Sequence, residues 1–116
     1  VEERIQDADA IIIASPVYNY DLNAACKNLI ELTGDAWENK IVGFLCAAGG
    51  NSSYMSVMAL ANSLMLDFRC VIVPRFVYAT GAAFRDGVIA DPEVARRTEE
   101  LCAEIMRFAS ALGEAK

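Results

Sequence analysis

Apolar residues gather in three runs of strand length: Ala10 to Ala14, Ile41 to Ala47 and Val71 to Val73, with Phe76 to Tyr78 as a candidate extension of the last. Each run is nearly continuous, the pattern of a strand covered on both faces. Between and after them the spacing turns helical. Leu22, Cys26, Leu29, Ile30 and Thr33 share one face at offsets of 4, 7, 8 and 11, Lys27, Asn28 and Glu31 fall elsewhere, and Gly34 supplies a stop. That predicts an amphipathic helix packed on a sheet. A second helical pattern, from about Ser52 to Asp67, has Asp67 as its only charge, so more than one of its sides should be covered. A third opens on Asp91-Pro92-Glu93, a capping residue followed by proline, and repeats Val94, Thr98, Leu101, Ile105, Phe108 and Leu112 before Gly113. Ahead of it, Phe84 to Ile89 predicts a turn with Asp86-Gly87 at its tip. The opening segment, Val1 to Asp9, reads like the last turns of a helix already under way.

Strands alternating with helices predict a parallel α/β sheet with right-handed crossovers. Such sheets place ligands beyond the carboxyl ends of their strands. Two unusual loops are expected there. In Ser15-Pro16-Val17-Tyr18-Asn19-Tyr20, Pro16 is expected to end the strand, Tyr18 offers an aromatic body with a polar tip, and Asn19 both donates and accepts hydrogen bonds. In Ala47-Ala48-Gly49-Gly50-Asn51-Ser52-Ser53, paired glycines let a ligand approach the backbone, and the free amides of a helix start favour electron-rich oxygens. Together the loops could clasp a flat ring with polar edges. Taken singly, each is also ordinary turn and capping chemistry; their shared position is what favours a site. No Gly-Lys-Ser or Gly-Lys-Thr follows the glycines, and no G-x-G-x-x-G is present.

Composition narrows the chemistry. The chain has 116 residues, 55% hydrophobic and 22% charged, which suits one globular domain. A formal charge of -6 and a pI near 4.5 argue against nucleic acid and anionic membranes as partners. No apolar run approaches the roughly 18 residues of a membrane span and none reads as a signal peptide, so a cytoplasmic protein is expected. Cys26, Cys46, Cys70 and Cys102 form no C-x-x-C pair and are expected to be small core residues with free thiols. There is no histidine, which removes Ser-His-Asp and Cys-His catalysis and histidine-ligated metals. A bound cofactor is the obvious source of chemistry.

Ala8-Asp9, the run Ala10 to Ala14, Ser15-Pro16-Val17-Tyr18-Asn19, Lys27-Asn28 and Gly49-Gly50 together resemble the flavodoxin-like NAD(P)H-dependent FMN reductases, the group that includes quinone, chromate and azo-dye reductases. The resemblance continues through the Asp-Gly turn and the Asp-Pro helix start. It implies a three-layer parallel sheet ordered 2-1-3-4-5, with residues 1 to 116 as the carboxyl-terminal portion of one such domain, strands 3-4-5 and their helices. It implies FMN, with Ser15, Pro16, Val17, Tyr18 and Asn19 along the isoalloxazine and Ala48, Gly49, Gly50, Asn51 and Ser52 at its pyrimidine edge, and NAD(P)H as co-substrate. Val17, Tyr20 and Asn51 depart from residues common in the family. The family's first strand and phosphate loop precede everything in this sequence, and two strand-helix units of about 30 residues each would supply them.

The resemblance further implies a small-molecule electron acceptor, such as a quinone, a flavin, an azo compound or a metal oxyanion, and a homodimer or higher assembly. Tyr18 then has a second reading as a dimer contact. With the flavin supplying the chemistry, no acid or base residue is assigned. Two other readings stand beside the reductase: a flavodoxin-type electron carrier or iron-sulfur flavoprotein relative, and a non-catalytic interaction module.

Overall fold

The computed structural model describes residues 1–18, 21–50 and 55–112. In chain order the elements are α1 (Glu2–Asp7), β1 (Ala10–Tyr18), β2 (Asp21–Leu22), α2 (Ala24–Thr33), β3 (Ile41–Ala48), α3 (Met58–Phe68), β4 (Val71–Ile72), β5 (Val77–Thr80), β6 (Phe84–Arg85), β7 (Val88–Ile89) and α4 (Pro92–Leu112). β3 is the centre of the sheet. Its Ile41 to Ala47 pair in parallel with Ala10 to Pro16 of β1, and its other edge carries β4 and then β5, both parallel. Val42 faces Ile72 and Leu45 faces Val77, so the third strand loops out two extra residues between β4 and β5. Pro74, which has no N–H for the ladder, lies in that interruption.

The side-chain alternation of β3 sorts the core into two. Val42, Phe44 and Cys46 join Ile13, Ile30, Trp37, Leu60 and Leu64 under α1, α2 and α3. Ile41, Val73, Val77 and Ala79 join Val94, Leu101 and Ile105 of α4 on the other face. Helices therefore cover both faces of the sheet, the three-layer architecture expected from the continuous apolar strands. Gly43 points at α4: a Cβ there would lie 2.7 Å from Ile105 Cδ1 and 3.0 Å from Leu101 Cδ1, so its missing side chain sets how closely the helix approaches.

Local chemistry explains the helix boundaries. Asn23 caps α2, its side chain accepting from Cys26 N at 3.0 Å, and Gly34 closes it at φ 34°. Asp91 Oδ1 accepts from Glu93 N at 2.8 Å at the start of α4, as the Asp-Pro signal predicts. Lys40, 5% exposed, donates to the carbonyls of Gln6 at 2.6 Å and Ala8 at 2.7 Å, putting a cation on the open carboxyl end of α1. Asp86 and Gly87 have φ of 52° and 78°, the two left-handed residues of a type I′ turn joining β6 and β7.

Four expectations need correction. Pro16 does not end its strand: β1 continues to Tyr18 and turns back antiparallel, Val17 facing Leu22 and Tyr18 facing Asp21. Proline can occupy a strand where its missing N–H has no partner to serve, and β1 has β3 on only one side along Ala10 to Pro16 among the described residues. Leu22 consequently belongs to β2 rather than to the helix. Second, α3 buries Leu60, Ala61 and Leu64 while Leu66 is 82% exposed, so within this chain it is covered on one side. Third, β1 is not covered on both faces, since Ile12 is 42% exposed. Fourth, Cys102 is an exposed residue of α4, whereas Cys46 and Cys70 are buried and Cys26 half-buried.

Candidate functional site

Parallel pairing sends β1, β3 and β5 out of the sheet at one edge, and their last residues meet there. Pro16 lies opposite Ala47, and Ala48 opposite Thr80. A shallow cavity of about 280 Å³ opens over these ends. Val17 and Tyr18 come from β1, Ala47 and Ala48 from β3 with Gly49 just after it, and Ala79 and Thr80 from β5 with Gly81 just after it, with Phe84 beyond them. Of the residues named from sequence, Val17, Tyr18, Ala48 and Gly49 are thus brought together. Gly50 follows directly, its carbonyl accepting a hydrogen bond from the Tyr78 hydroxyl. Asn19, Asn51 and Ser52 lie outside the described residues.

Ser15 and Pro16 stand behind the cavity rather than in its lining. Ser15, 5% exposed, donates to the Pro16 carbonyl at 2.9 Å and accepts from Asn23 N at 3.3 Å. It ties the end of β1 to the cap of α2. Ala47, quoted with the glycine loop, and Phe84, quoted with the Asp-Gly turn, were not assigned to the site from sequence, and neither were Ala79, Thr80 and Gly81. A signal for part of this set was present: Ala79-Thr80-Gly81 repeats, at the end of the third strand, the small residues and glycine of Ala47-Ala48-Gly49.

The glycines are informative because the chain itself does not require them. A Cβ built on Gly49, Gly50 or Gly81 would meet nothing within 4 Å, and none of the three has a positive φ. Neither packing nor a left-handed backbone requires them, and the space beside their backbone is open to an outside group. The lining carries no formal charge and consists of apolar walls, backbone and the hydroxyls of Tyr18 and Thr80. Cys46, just before it, is no nucleophile: burial, then the neighbouring Cys26, pushes its thiol up to about 11. Among the described residues, no three His, Cys, Asp or Glu side chains gather into a metal site. Such a site can hold and orient a flat, largely apolar group with hydrogen-bonding edges.

A model of the NADPH-dependent FMN reductase family matches residues 1–85. This chain belongs to that family. Among relatives of this FMN reductase family chain, an NAD(P)H-dependent FAD/FMN reductase of Geobacillus thermodenitrificans is 29% identical over 110 residues, covering 93% of this chain and 60% of the relative. An NAD(P)H:quinone oxidoreductase of Solanum tuberosum is 27% identical over 118 residues, covering 95% of this chain and 61% of the relative. The chain therefore spans about three fifths of the length of these curated relatives. A flavodoxin, WrbA-like protein from Agrobacterium tumefaciens shares the fold, with a TM-score of 0.68 at 17% identity over 98% of this chain and 72% of that one. The flavodoxin-like arrangement expected from the resemblance is the one observed.

Proposed function

We propose that the protein carrying this chain is an NAD(P)H-dependent, FMN-binding oxidoreductase that passes electrons to a small acceptor such as a quinone, a flavin, an azo compound or a metal oxyanion. The observation that carries the reading is the open glycine edge at Gly49, Gly50 and Gly81, facing Val17 and Tyr18 across the ends of parallel strands. In this reading Val17 and Tyr18 line one side of the flavin ring, with Ser15 and Pro16 behind them, and Ala48, Gly49 and Gly50 meet its polar edge. Asn19, Asn51 and Ser52 join them by resemblance. Bound FMN would supply hydride acceptance from NAD(P)H and electron transfer onward.

The chain's own residues then bind and orient. Backbone N–H groups at the strand ends donate to electron-rich ring atoms, and the apolar walls exclude water from one face of the ring. The fit is chemical as well as steric, since a neutral, glycine-edged cleft suits a flat group that carries its own reactivity. A homodimer belongs to the same reading: Leu32 of α2 is 73% exposed and Leu66 of α3 82%, both on helices over one face of the sheet. So does a cytoplasmic setting, which four free thiols fit. Among the described residues no helix is long and apolar enough to cross a membrane.

Titrating FMN with the full-length protein that carries this chain and following flavin fluorescence tests the reading. Saturable quenching is expected, followed by bleaching of the yellow colour when NADPH is added without oxygen. Gly49→Val combined with Gly81→Val should weaken FMN binding by about tenfold or more while the unfolding midpoint holds, because the new side chains enter open space. Equal FMN affinity in the double variant would sink the assignment.

A further inference from the structure

A second and larger cavity, about 560 Å³, lies along the outer edge of β5, away from the strand-end cleft. Its walls are Phe76 and Tyr78 with Met55, and its rim carries Arg75, Arg97 and Glu100. The aromatic wall is held in place. Phe76 meets Phe44 of the core edge-on, ring centroids 5.7 Å apart at 87°, and the Tyr78 hydroxyl donates to the Gly50 carbonyl.

The rim pairs two guanidiniums with one carboxylate. Glu100 is already shared, accepting from Arg75 Nη1 at 2.9 Å and from Arg96, which also pairs with Glu93. Among the described residues, no carboxylate lies within ion-pair distance of Arg97, which feels Glu93 only at longer range. Of the charged residues lining the cavity, Arg75 and Arg97 face the single carboxylate of Glu100, and the guanidinium without an ion pair is Arg97. Guanidinium forks match phosphate and carboxylate oxygens in geometry, and a flat aromatic wall beside them accepts a planar ring.

We propose that this groove binds the adenosine 2′-phosphate end of NADPH, with Arg97 and Arg75 on the phosphate and Phe76 and Tyr78 beside the purine. The proposal rests on the reductase reading for the other half of the dinucleotide. The Tyr78 hydroxyl of the groove wall donates to the Gly50 carbonyl at the glycine edge; in the proposed arrangement one extended ligand has its nicotinamide end at the cleft and its phosphorylated adenosine end here. The size suits such a fragment, since ligand cavities run from about 300 to 1,000 Å³. NADH lacks the 2′-phosphate, and Arg97 is then the residue that tells the two apart.

Calorimetric titration of this chain with 2′,5′-ADP, 5′-AMP and inorganic phosphate tests the groove without flavin. Tighter binding of 2′,5′-ADP than of 5′-AMP, by about tenfold, is expected from one charge-assisted phosphate contact. Arg97→Ala should erase that difference and Arg97→Lys should keep part of it, with circular dichroism checking that each variant retains the wild-type helix content. Equal binding of the two nucleotides, equal binding of phosphate alone, or discrimination that survives Arg97→Ala would overturn the proposal. Because no flavin is involved, failure of the full-length protein to bind FMN, with discrimination intact, sinks the reductase reading and leaves the groove standing. The opposite pair of results sinks the groove alone.

Discussion

Cys46 shows how one residue's burial governs its chemistry. It is 2% exposed in the middle layer of the sheet, and loss of hydration there disfavours its thiolate, raising it from the ordinary 9.0 to about 11. Below pH 9 the thiol is protonated in folded and unfolded chains alike, and its contribution to stability is fully present. Between about 9 and 11 the unfolded chain ionises first, so stability is lost as pH rises. Urea midpoints measured from pH 8 to 11 should fall more steeply for the wild type than for Cys46→Ala; parallel slopes would refute the assignment. The sequence placed Cys46 and Cys102 alike in apolar surroundings. Only packing separates them, because Cys102 sits on the outer face of α4, where apolar neighbours in sequence are not neighbours in space.

At the scale of elements, α4 was legible from sequence because its start signal, its periodicity and its length agree. The beginning of α2 was not. Leu22 has the right spacing for the helix face, yet Asn23 supplies a better cap one residue later, and the backbone of Asp21 and Leu22 is taken by pairing with β1. The backbone N–H of Asn23 donates to Ser15 Oγ, joining the end of β1 to the start of α2. Asn23→Ala should lower stability by about 1 kcal/mol, as loss of an N-cap does. Denaturant unfolding measures it, and Asn23→Asp, which keeps the accepting oxygen, should recover most of the loss. β1 ran past its expected end for a related reason: Pro16 breaks a strand only where its N–H is needed.

For the whole molecule, apolar surface is unevenly covered. β3 is enclosed by strands on both edges and helices on both faces, and its side chains from Ile41 to Phe44 are buried. β1 pairs on one edge along most of its length and leaves Ile12 42% exposed, while α2 and α3 present Leu32 and Leu66 outward. Exposed large apolar side chains on adjacent elements favour association. Sedimentation of the chain is expected to show a concentration-dependent dimer, and Leu32→Glu with Leu66→Glu should shift it to monomer without lowering the unfolding midpoint of the monomer. A double variant that sediments as the wild type does would place the contact elsewhere.

The sequence by itself determined the class of fold, the three parallel strands, the cap of α4, the Asp-Gly hairpin and the pairing of two loops as a candidate site. These are read from periodicity and turn chemistry, which act over a few residues. Only the tertiary structure decided that the end of β5 brings Thr80 and the following Gly81 to the cleft, that Ser15 joins the start of α2, and that Arg75 and Arg97 meet at one groove. Those juxtapositions join segments more than 20 residues apart in several cases, and they depend on strand register and on how closely α4 approaches over Gly43. A local pattern carries neither quantity, because both are set by the balance of packing across the whole sheet.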